Sequence, residues 1–157
     1  MKKLELKACL NYRFLSQLQY APGGEHAACV VSQADWEGNG YKGDIHVLTP
    51  KETLHQLTAA GDAKSFAWLN DHDLIFPAAR QKADKERLEK GERFTVFQKI
   101  CIRGGEATEY FRVPYTVGDF KQICESRYVM ICRWHPEDPD FTAMTEAEKL
   151  AAYKHLK

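Results

Sequence analysis

The groups in this sequence that could do chemistry are concentrated in one charged segment. Residues 80–93, RQKADKERLEKGER, carry the carboxylates of Asp84, Glu86, Glu89 and Glu92. Carboxylates form strong charge-assisted hydrogen bonds with cations, so this set could select a positively charged ligand. Lysine and arginine side chains neutralise the segment locally, however, and a solvated charged face is the simpler interpretation.

Nucleophilic catalysis by serine is not indicated by any local pattern. A catalytic triad needs a serine, a histidine and an aspartate together with a preorganised oxyanion hole. No serine has the flanking glycines of a Gly-x-Ser-x-Gly nucleophile elbow, and nothing nominates a triad member. We therefore expect that this chain alone is not an enzyme, and we assign it no catalytic residue.

The sequence also gives little support for a metal site. Residues 135–140, HPEDPD, place carboxylates beside a histidine, but a loop punctuated by proline is the simpler interpretation. The cysteines form no Cys-x-x-Cys pair, and most lie in apolar runs, where a thiol behaves as a small hydrophobic group. We expect reduced thiols, no metal site and no cofactor. The cysteines are Cys9, Cys29, Cys101, Cys124 and Cys132.

The composition is that of an ordinary globular domain. The chain has 157 residues, and 22 Lys and Arg balance 22 Asp and Glu, so the formal net charge is zero. This balance does not favour nucleic acid or an anionic membrane as a partner. The N-terminus lacks the apolar core of a secretory signal, and no apolar run approaches the roughly 18–20 residues of a membrane span. We expect a cytoplasmic protein.

The elements that would position the charged groups are mostly short β-strands. Alternation of polar and apolar residues predicts strands at residues 44–49, DIHVLT, and at residues 94–102, FTVFQKICI. The turn at Gly104 and Gly105 and the returning segment ATEYFRV predict a hairpin. Shorter apolar runs between these segments continue the same pattern.

Two segments interrupt the β pattern. The charged residues 80–93 suit a short exposed helix or a flexible excursion from the sheet. Near the C-terminus, Thr145 and Glu148 have the spacing of a capping box, which predicts a helix over about residues 145–156.

A turn followed by an apolar strand recurs along the chain. Residues 20–27, YAPGGEHA, and residues 68–74, WLNDHDL, each place an aromatic residue before a tight polar turn and a strand. A third copy begins at Ile123. Each interval holds about four strands, which is typical of the blades of a β-propeller. The alternative is an accidental periodicity in a complete β-sandwich.

We predict an all-β fold, a partial β-propeller of about two and a half four-stranded antiparallel blades with a short C-terminal helix. An unclosed ring leaves strand edges and an apolar blade face exposed, so we expect self-association. The tryptophans Trp36, Trp68 and Trp134 could stack on a ligand, but they lie near strand ends, where core or inter-blade packing is the simpler expectation. Within a single incomplete domain, residues 1–157, the blades are predicted at 17–58, 64–113 (with the charged excursion at 80–93) and 117–133, and the helix at 145–156.

The stretch from Leu10 to Val113 resembles the N-terminal β-propeller of serine peptidases of the prolyl oligopeptidase family. The family's usual turn, an aromatic residue followed by Ser-Pro-Asp-Gly, reads YAPGG here. The most specific piece is residues 84–107, DKERLEKGERFTVFQKICIRGGEA, which is similar to a second-blade excursion in the acylaminoacyl-peptidase and dipeptidyl-peptidase-like branch. The other matching pieces are residues 11–35, 41–48 (YKGDIHVL), 55–58 (HQLT) and 68–76 (WLNDHDLIF).

This resemblance implies a non-catalytic propeller that, in the full-length protein, gates and positions short peptide substrates. In that family an α/β-hydrolase domain with the Gly-x-Ser-x-Gly elbow follows the propeller, so the absence of the elbow departs from the family pattern. We expect a truncated chain whose partners are the missing C-terminal blades and the hydrolase domain. The resemblance also implies that Asp84, Glu86, Glu89 and Glu92 bind the free amino terminus of a peptide. The alternative is a stand-alone β-propeller-like interaction module without peptidase activity.

Overall fold

The computed structural model describes residues 6–51, 53–124, 127–134, 144–145, 147–148 and 151. A 3-10 helix at Leu6–Asn11 precedes a series of strands, and the α-helix α1, Lys82–Glu89, interrupts that series. The strands are β1 (Arg13–Tyr20), β2 (Ala27–Asp35), β3 (Gly40–Leu48), β4 (Leu54–Gln56), β5 (Ala67–Trp68), β6 (Asp73–Pro77), β7 (Thr95–Cys101), β8 (Thr108–Val113), β9 (Thr116–Cys124) and β10 (Arg127–Arg133).

Within the described residues, the strands pair in chain order into two sheets of four strands and one sheet of two. The sheet orders are β1-β2-β3-β4, β5-β6-β7-β8 and β9-β10. The β1–β2, β2–β3, β3–β4, β5–β6 and β9–β10 pairings are all antiparallel. Because each strand pairs with its neighbour in sequence, hairpin turns can connect them, as the alternating segments predict. The exception is the connection from β6 to β7, which contains helix α1.

Two compact units divide the chain. One comprises Met1–Phe76 with Lys99–Ala107, and the other comprises Pro77–Gln98 with Thr108–Lys157. The division passes through β7, whose residues up to Gln98 belong to the second unit. The predicted blade boundaries and the prediction of one incomplete domain stay predictions.

The opening turn of the first sheet is closed by its own backbone. The Ala21 N–H donates to the His26 carbonyl at 2.8 Å, and the Gly24 N–H donates to the Ala21 carbonyl at 2.9 Å. Gly24 has a φ of 77°, a left-handed conformation that favours glycine. From this turn the β2–β3 register runs without a break, from Ala27 opposite Leu48 onward.

Strand β1 is longer than the sequence pattern predicts. It begins at Arg13 rather than at Gln17, and each of its residues is exposed. The register with β2 shifts between Ser16 and Gln19, and Gln17 has a φ of 53°. This bulge breaks the strict polar–apolar alternation, and therefore the pattern marked only the end of the strand.

The repeated turn occupies the same position in each sheet. Residues 20–27 join β1 to β2, and residues 68–74 join β5 to β6. The third copy, which begins at Ile123, includes the end of β9 and the start of β10. In the second copy the Asn70 Oδ1 accepts hydrogen bonds from the His72 N–H at 2.8 Å and the Asp73 N–H at 2.9 Å. Local hydrogen bonds of this kind stabilise a turn without help from the rest of the chain.

The core of the first unit is built on the alternation of β3. Ile45 and Val47 point inward and are fully buried, and Val30 of β2 is buried with them. Phe66 and Leu74 extend the set of fully buried side chains in the same unit. Burial of large apolar side chains is the main stabilising term of such a sheet.

Aromatic packing dominates the core of the second unit. The ring of Phe97 stacks on Phe111, with a centroid distance of 4.5 Å, and meets Phe120 edge-on at 4.9 Å. Phe111 in turn packs against Tyr128, with a centroid distance of 5.3 Å. These contacts join β7, β8, β9 and β10 within the unit. Each favourable ring geometry adds stabilisation beyond that from the buried apolar area.

The helical predictions are met where the structure describes them. Helix α1 lies inside the charged excursion and is exposed apart from the buried Asp84 and the partly buried Arg87. At the C-terminus, the Thr145 Oγ1 and backbone N–H both donate to the Glu148 carboxylate, at 2.7 and 2.8 Å, which is the expected capping box. Ala147, Glu148 and Ala151 are helical, and the rest of residues 145–156 lies outside the described residues. No helix of the described part is long and apolar enough to span a membrane.

Candidate functional site

Asp84, the first of the four predicted ligand-binding carboxylates, is turned toward the protein. It lies in the first turn of α1, where a negative charge is favourable, and it is only 3% exposed. The Arg112 Nη1 contacts its Oδ1 at 3.3 Å. Arg112 also donates to both carboxylate oxygens of Glu109, at 2.6 and 2.8 Å. Asp84 therefore serves to hold α1 against β8.

Glu92 is also committed to an internal ion pair. Its Oε2 accepts from the Arg87 Nε and Nη2, both at 2.8 Å, and the carboxylate is nearly buried. The Arg87 guanidinium lies 4.9 Å from the centroid of the Phe94 ring, and that of Arg112 lies 5.8 Å from it. A cation over an aromatic face is an additional attraction. These contacts order the segment that follows α1.

Glu86 and Glu89 remain exposed on α1. Glu86 faces Lys82 across one helical turn, with 3.8 Å between the Lys Nζ and the carboxylate, an arrangement of little energetic weight. The four carboxylates are thus placed in two different environments: Asp84 and Glu92 are neutralised by arginines, whereas Glu86 and Glu89 face solvent. Binding of a peptide amino terminus by this set stays a prediction, and the structure leaves only the exposed pair accessible for it.

A polar cavity of about 440 Å³ lies on the first sheet. Asp44 is one of its lining residues. The Asp44 Oδ1 accepts hydrogen bonds from the Thr58 hydroxyl at 2.9 Å and from the Gly61 N–H at 3.0 Å. The Thr58 hydroxyl oxygen accepts from the Ile45 N–H at 3.0 Å, so the aspartate and the threonine fasten the segment after β4 to β3. The lining residues are Arg13, Val31, Gln33, Lys42, Asp44, His46, Gln56, Ala59, Ala60 and Gly61.

A second cavity, of about 380 Å³, lies where strands of the first unit end in turns. Three imidazoles and one guanidinium line it, those of His26, His55, His72 and Arg103. Val47, Thr49 and Ile102 complete the lining. We call this set the histidine cavity. None of its lining residues is acidic, which distinguishes it from the cavity on the first sheet.

A smaller cavity of about 350 Å³ shares His26 and His72 with the histidine cavity. The two imidazole rings are 6.4 Å apart and approach edge-to-face. The Asp71 carboxylate, on the same turn as His72, accepts the Gly23 N–H of the opening turn. This bond joins the first and second copies of the repeated turn and holds the two histidines near each other.

The sequence interpretation missed the histidine cavity. A signal was nevertheless present, because both His26 and His72 lie in copies of the repeated turn, immediately before the residue that begins the next strand. His55 lies in β4 opposite Val47, and Arg103 follows β7. Their proximity depends on the pairing of the sheets and cannot be read from local spacing.

Metal binding and thiol chemistry receive no support from the described residues. Among them, no group of three or more His, Cys, Asp or Glu side chains could hold a metal ion. Cys29, Cys101, Cys124 and Cys132 are free thiols, and burial raises the pKa of Cys29, which disfavours its reactive thiolate. The acidic loop at residues 135–140 lies outside the described residues.

The tryptophans divide between core and surface. Trp68 is buried, as expected, and its Nε1 donates to the Gln19 carbonyl at 3.3 Å. The expectation of packed side chains is wrong for Trp36 and Trp134, which are 79% and 60% exposed. Trp36 lies at the β2–β3 turn and Trp134 directly after β10, so neither is enclosed by its own sheet.

No protein-family model matches the sequence, and no curated protein matches it. Among solved structures, the chain is similar to the β-propeller domain of the Trilobed protease from Pyrococcus furiosus, which is described as having an open velcro topology. The TM-score is 0.52 at 14% sequence identity, over 77% of this chain and 34% of that chain. This chain therefore aligns with about a third of that one. At this identity the likeness shows the fold alone, and the predicted partial β-propeller of four-stranded antiparallel sheets is confirmed.

Proposed function

We propose that this chain is the non-catalytic propeller part of a serine peptidase of the prolyl oligopeptidase family. In the full-length protein it gates and positions short peptides, and the serine chemistry belongs to an α/β-hydrolase domain outside this sequence. The observation that carries the proposal is the likeness of fold to the β-propeller domain of a protease. The resemblance of residues 84–107 to a second-blade excursion of the same family supports it from the sequence.

The proposed role is one of binding and steric selection. The histidine cavity offers nitrogen donors at the ends of several strands, where a bound peptide would be held by rigid elements. Exposed carboxylates at Glu86 and Glu89 are available to a cationic group. The proposed partners are short peptides and the remaining blades and hydrolase domain of the parent chain, and the proposed compartment is the cytoplasm.

The parent gene provides the direct test. We expect the reading frame beyond the codon of Lys157 to encode the missing blades and then Gly-x-Ser-x-Gly, an aspartate and a histidine in that order. In that parent protein, peptides of increasing length should be cleaved with falling efficiency because the propeller restricts entry. A reading frame without a hydrolase domain, or cleavage that is independent of peptide length, would contradict the proposal.

A stand-alone interaction module is the second candidate, and strand β1 favours it. This strand lies at the edge of its sheet and exposes Phe14, Leu15, Leu18 and Tyr20. An exposed apolar edge strand is a template for pairing with another chain. A natural stop codon directly after Lys157, combined with capture of a defined partner along β1, would select this function over the first.

A further inference from the structure

The lining of the histidine cavity is basic and rich in side-chain nitrogen atoms. It contains one permanently charged guanidinium, from Arg103, and three imidazoles, from His26, His55 and His72. Imidazole nitrogens add hydrogen-bond donors to those of the guanidinium. The hydroxyl of Thr49 is a further polar group, and Val47 and Ile102 supply an apolar wall. A cavity of this kind suits a small anion joined to an apolar group.

The backbone fixes the relative positions of these side chains. The Ile102 N–H donates to the His72 carbonyl at 2.8 Å, which ties the residue beside Arg103 to the turn that carries His72. The His72 N–H is itself bound by Asn70, and the His26 carbonyl accepts from Ala21. His55 is held in the register of β4. The site is therefore largely preorganised, which reduces the entropy lost when a ligand binds.

The nearby acidic groups are mostly engaged elsewhere. Asp71 accepts the Gly23 N–H. Asp73 accepts from Asn70 and pairs with Lys99 at 3.0 Å. Glu25 lines the adjoining smaller cavity and is exposed. The charged groups at or near the histidine cavity are thus the partly neutralised Asp71 and Asp73, Lys99, Glu25 and Arg103.

We infer that the histidine cavity binds a carboxylate group of a peptide. Guanidinium is a charge-assisted donor to carboxylate and can engage both of its oxygens, and an imidazole N–H can donate a further hydrogen bond. The apolar wall formed by Val47 and Ile102 would contact the adjoining side chain or backbone. This inference rests on the proposed function, since it names the part of a peptide that this chain holds. The carboxylate belongs either to the C-terminus or to an acidic side chain, and the two sources are separable by experiment.

The test uses the whole chain and four blocked or unblocked peptides in titration calorimetry. The first is N-acetyl-Ala-Ala-Ala with a free C-terminal carboxylate, and the second is its C-terminal amide. The third and fourth are amides with a central Glu or a central Gln. We expect at least one carboxylate peptide to bind about tenfold more tightly than its neutral counterpart, as one charged hydrogen bond pair would give. The first pair of peptides reports the C-terminal source and the second pair reports the side-chain source.

Variants identify the site. Arg103→Gln and His72→Gln alter exposed side chains of the cavity, and each should weaken carboxylate binding about fivefold to tenfold. His46→Gln is the matched control, because His46 lies on β3, next to the β4 strand that carries His55, but lines the other cavity. It should leave the affinity unchanged.

A second measurement does not depend on the variants. The imidazole resonances of His26, His55 and His72 should shift when the preferred peptide is added, and those of His46 should not. Peptide binding that is equally tight for acid and amide forms would overturn the inference and leave the proposed function standing. Carboxylate-dependent binding that is unaffected by Arg103→Gln and His72→Gln would also overturn it. Failure of every peptide to bind would contradict the inference, whereas the parent gene tests the proposed function separately.

Discussion

The carboxylate of Asp84 is almost completely buried and has Arg112 as its partner, with 3.3 Å between Oδ1 and Nη1. Its second oxygen is buried without a hydrogen-bond partner among the described residues. Arg112 is shared with Glu109, and that hydrogen bond, reinforced by the charges of Asp84 and Glu109, raises the pKa of Arg112 despite partial burial. The guanidinium is therefore charged at every accessible pH. One arginine therefore compensates the buried charge of Asp84.

Removal of that arginine should be costly. Arg112→Gln leaves the Asp84 charge buried and uncompensated, and we expect the free energy of unfolding to fall by about 3 kcal/mol. Glu109→Gln is the matched control, because it removes an exposed partner of the same arginine and should cost less than about 1 kcal/mol. Urea unfolding followed by circular dichroism measures both. Equal losses in the two variants would mean that the burial of Asp84 has no energetic consequence.

Acid should destabilise the protein through two carboxylates with lowered pKa values. Burial raises the pKa of Asp73, but the Asn70 hydrogen bond and Lys99 lower it more strongly. The hydrogen bond from Arg112 lowers the pKa of Glu109. Both groups bind protons more weakly when folded, so their stabilising contribution is complete above the ordinary carboxyl pKa of about 4 and is lost as the pH falls below it.

The measurement is the free energy of unfolding at pH 7, 5, 4 and 3 for the wild type and for the variant with Asp73→Asn and Glu109→Gln. We expect the wild type to lose more stability than the double variant between pH 5 and pH 3. No difference between pH 7 and 5 should arise from these two groups. Parallel curves over the whole range would show that neither carboxylate is linked to folding.

Strand β1 should cause self-association. The side chains of Leu15 and Leu18 are each about two-thirds exposed. Among the described strands, β1 pairs with β2 alone and therefore lies at the edge of its sheet. Charged residues on an edge strand oppose pairing with another chain, so Leu15→Lys with Leu18→Lys should shift the protein toward monomer. Leu54→Lys, on the three-residue edge strand β4, is the matched control and should change little. Light scattering over a concentration series provides the readout, and a wild type that is monomeric throughout would refute this expectation.

The opening turn should depend on glycine for two different reasons. At Gly24 an added Cβ meets no atom within 4 Å, so Gly24→Ala should cost about 1 kcal/mol through the left-handed backbone alone. At Gly23 the Cβ would lie 2.8 Å from the Asp71 carboxylate and disturb the bond between the two repeated turns. Gly40→Ala, with its nearest contact at 3.7 Å, is the control and should be close to neutral. Thermal unfolding compares the stabilities of Gly23→Ala, Gly24→Ala and Gly40→Ala. A Gly40→Ala variant as unstable as Gly24→Ala would contradict the backbone explanation.

Local patterns predicted the fold well because the sheets are built from neighbours in sequence. The β2–β3 pairing and the turn that begins at Tyr20 need only alternation, glycine and nearby hydrogen bonds, all of which are visible in the sequence. Where a bulge at Gln17 interrupted the alternation, the prediction shortened the strand. The exposed Trp36 was misplaced because hydrophobic character does not by itself determine burial.

The sequence by itself determined the short strands, the recurring turn, the charged excursion and the absence of a serine elbow. The tertiary structure decided which charges are available, because Asp84 meets an arginine 28 residues away and is withdrawn from solvent. It also gathered His26, His55, His72 and Arg103 into one cavity. Alternation and turn chemistry act over a few residues, whereas ion pairs and cavity walls depend on which strands pair. That pairing gathers side chains that no local spacing connects.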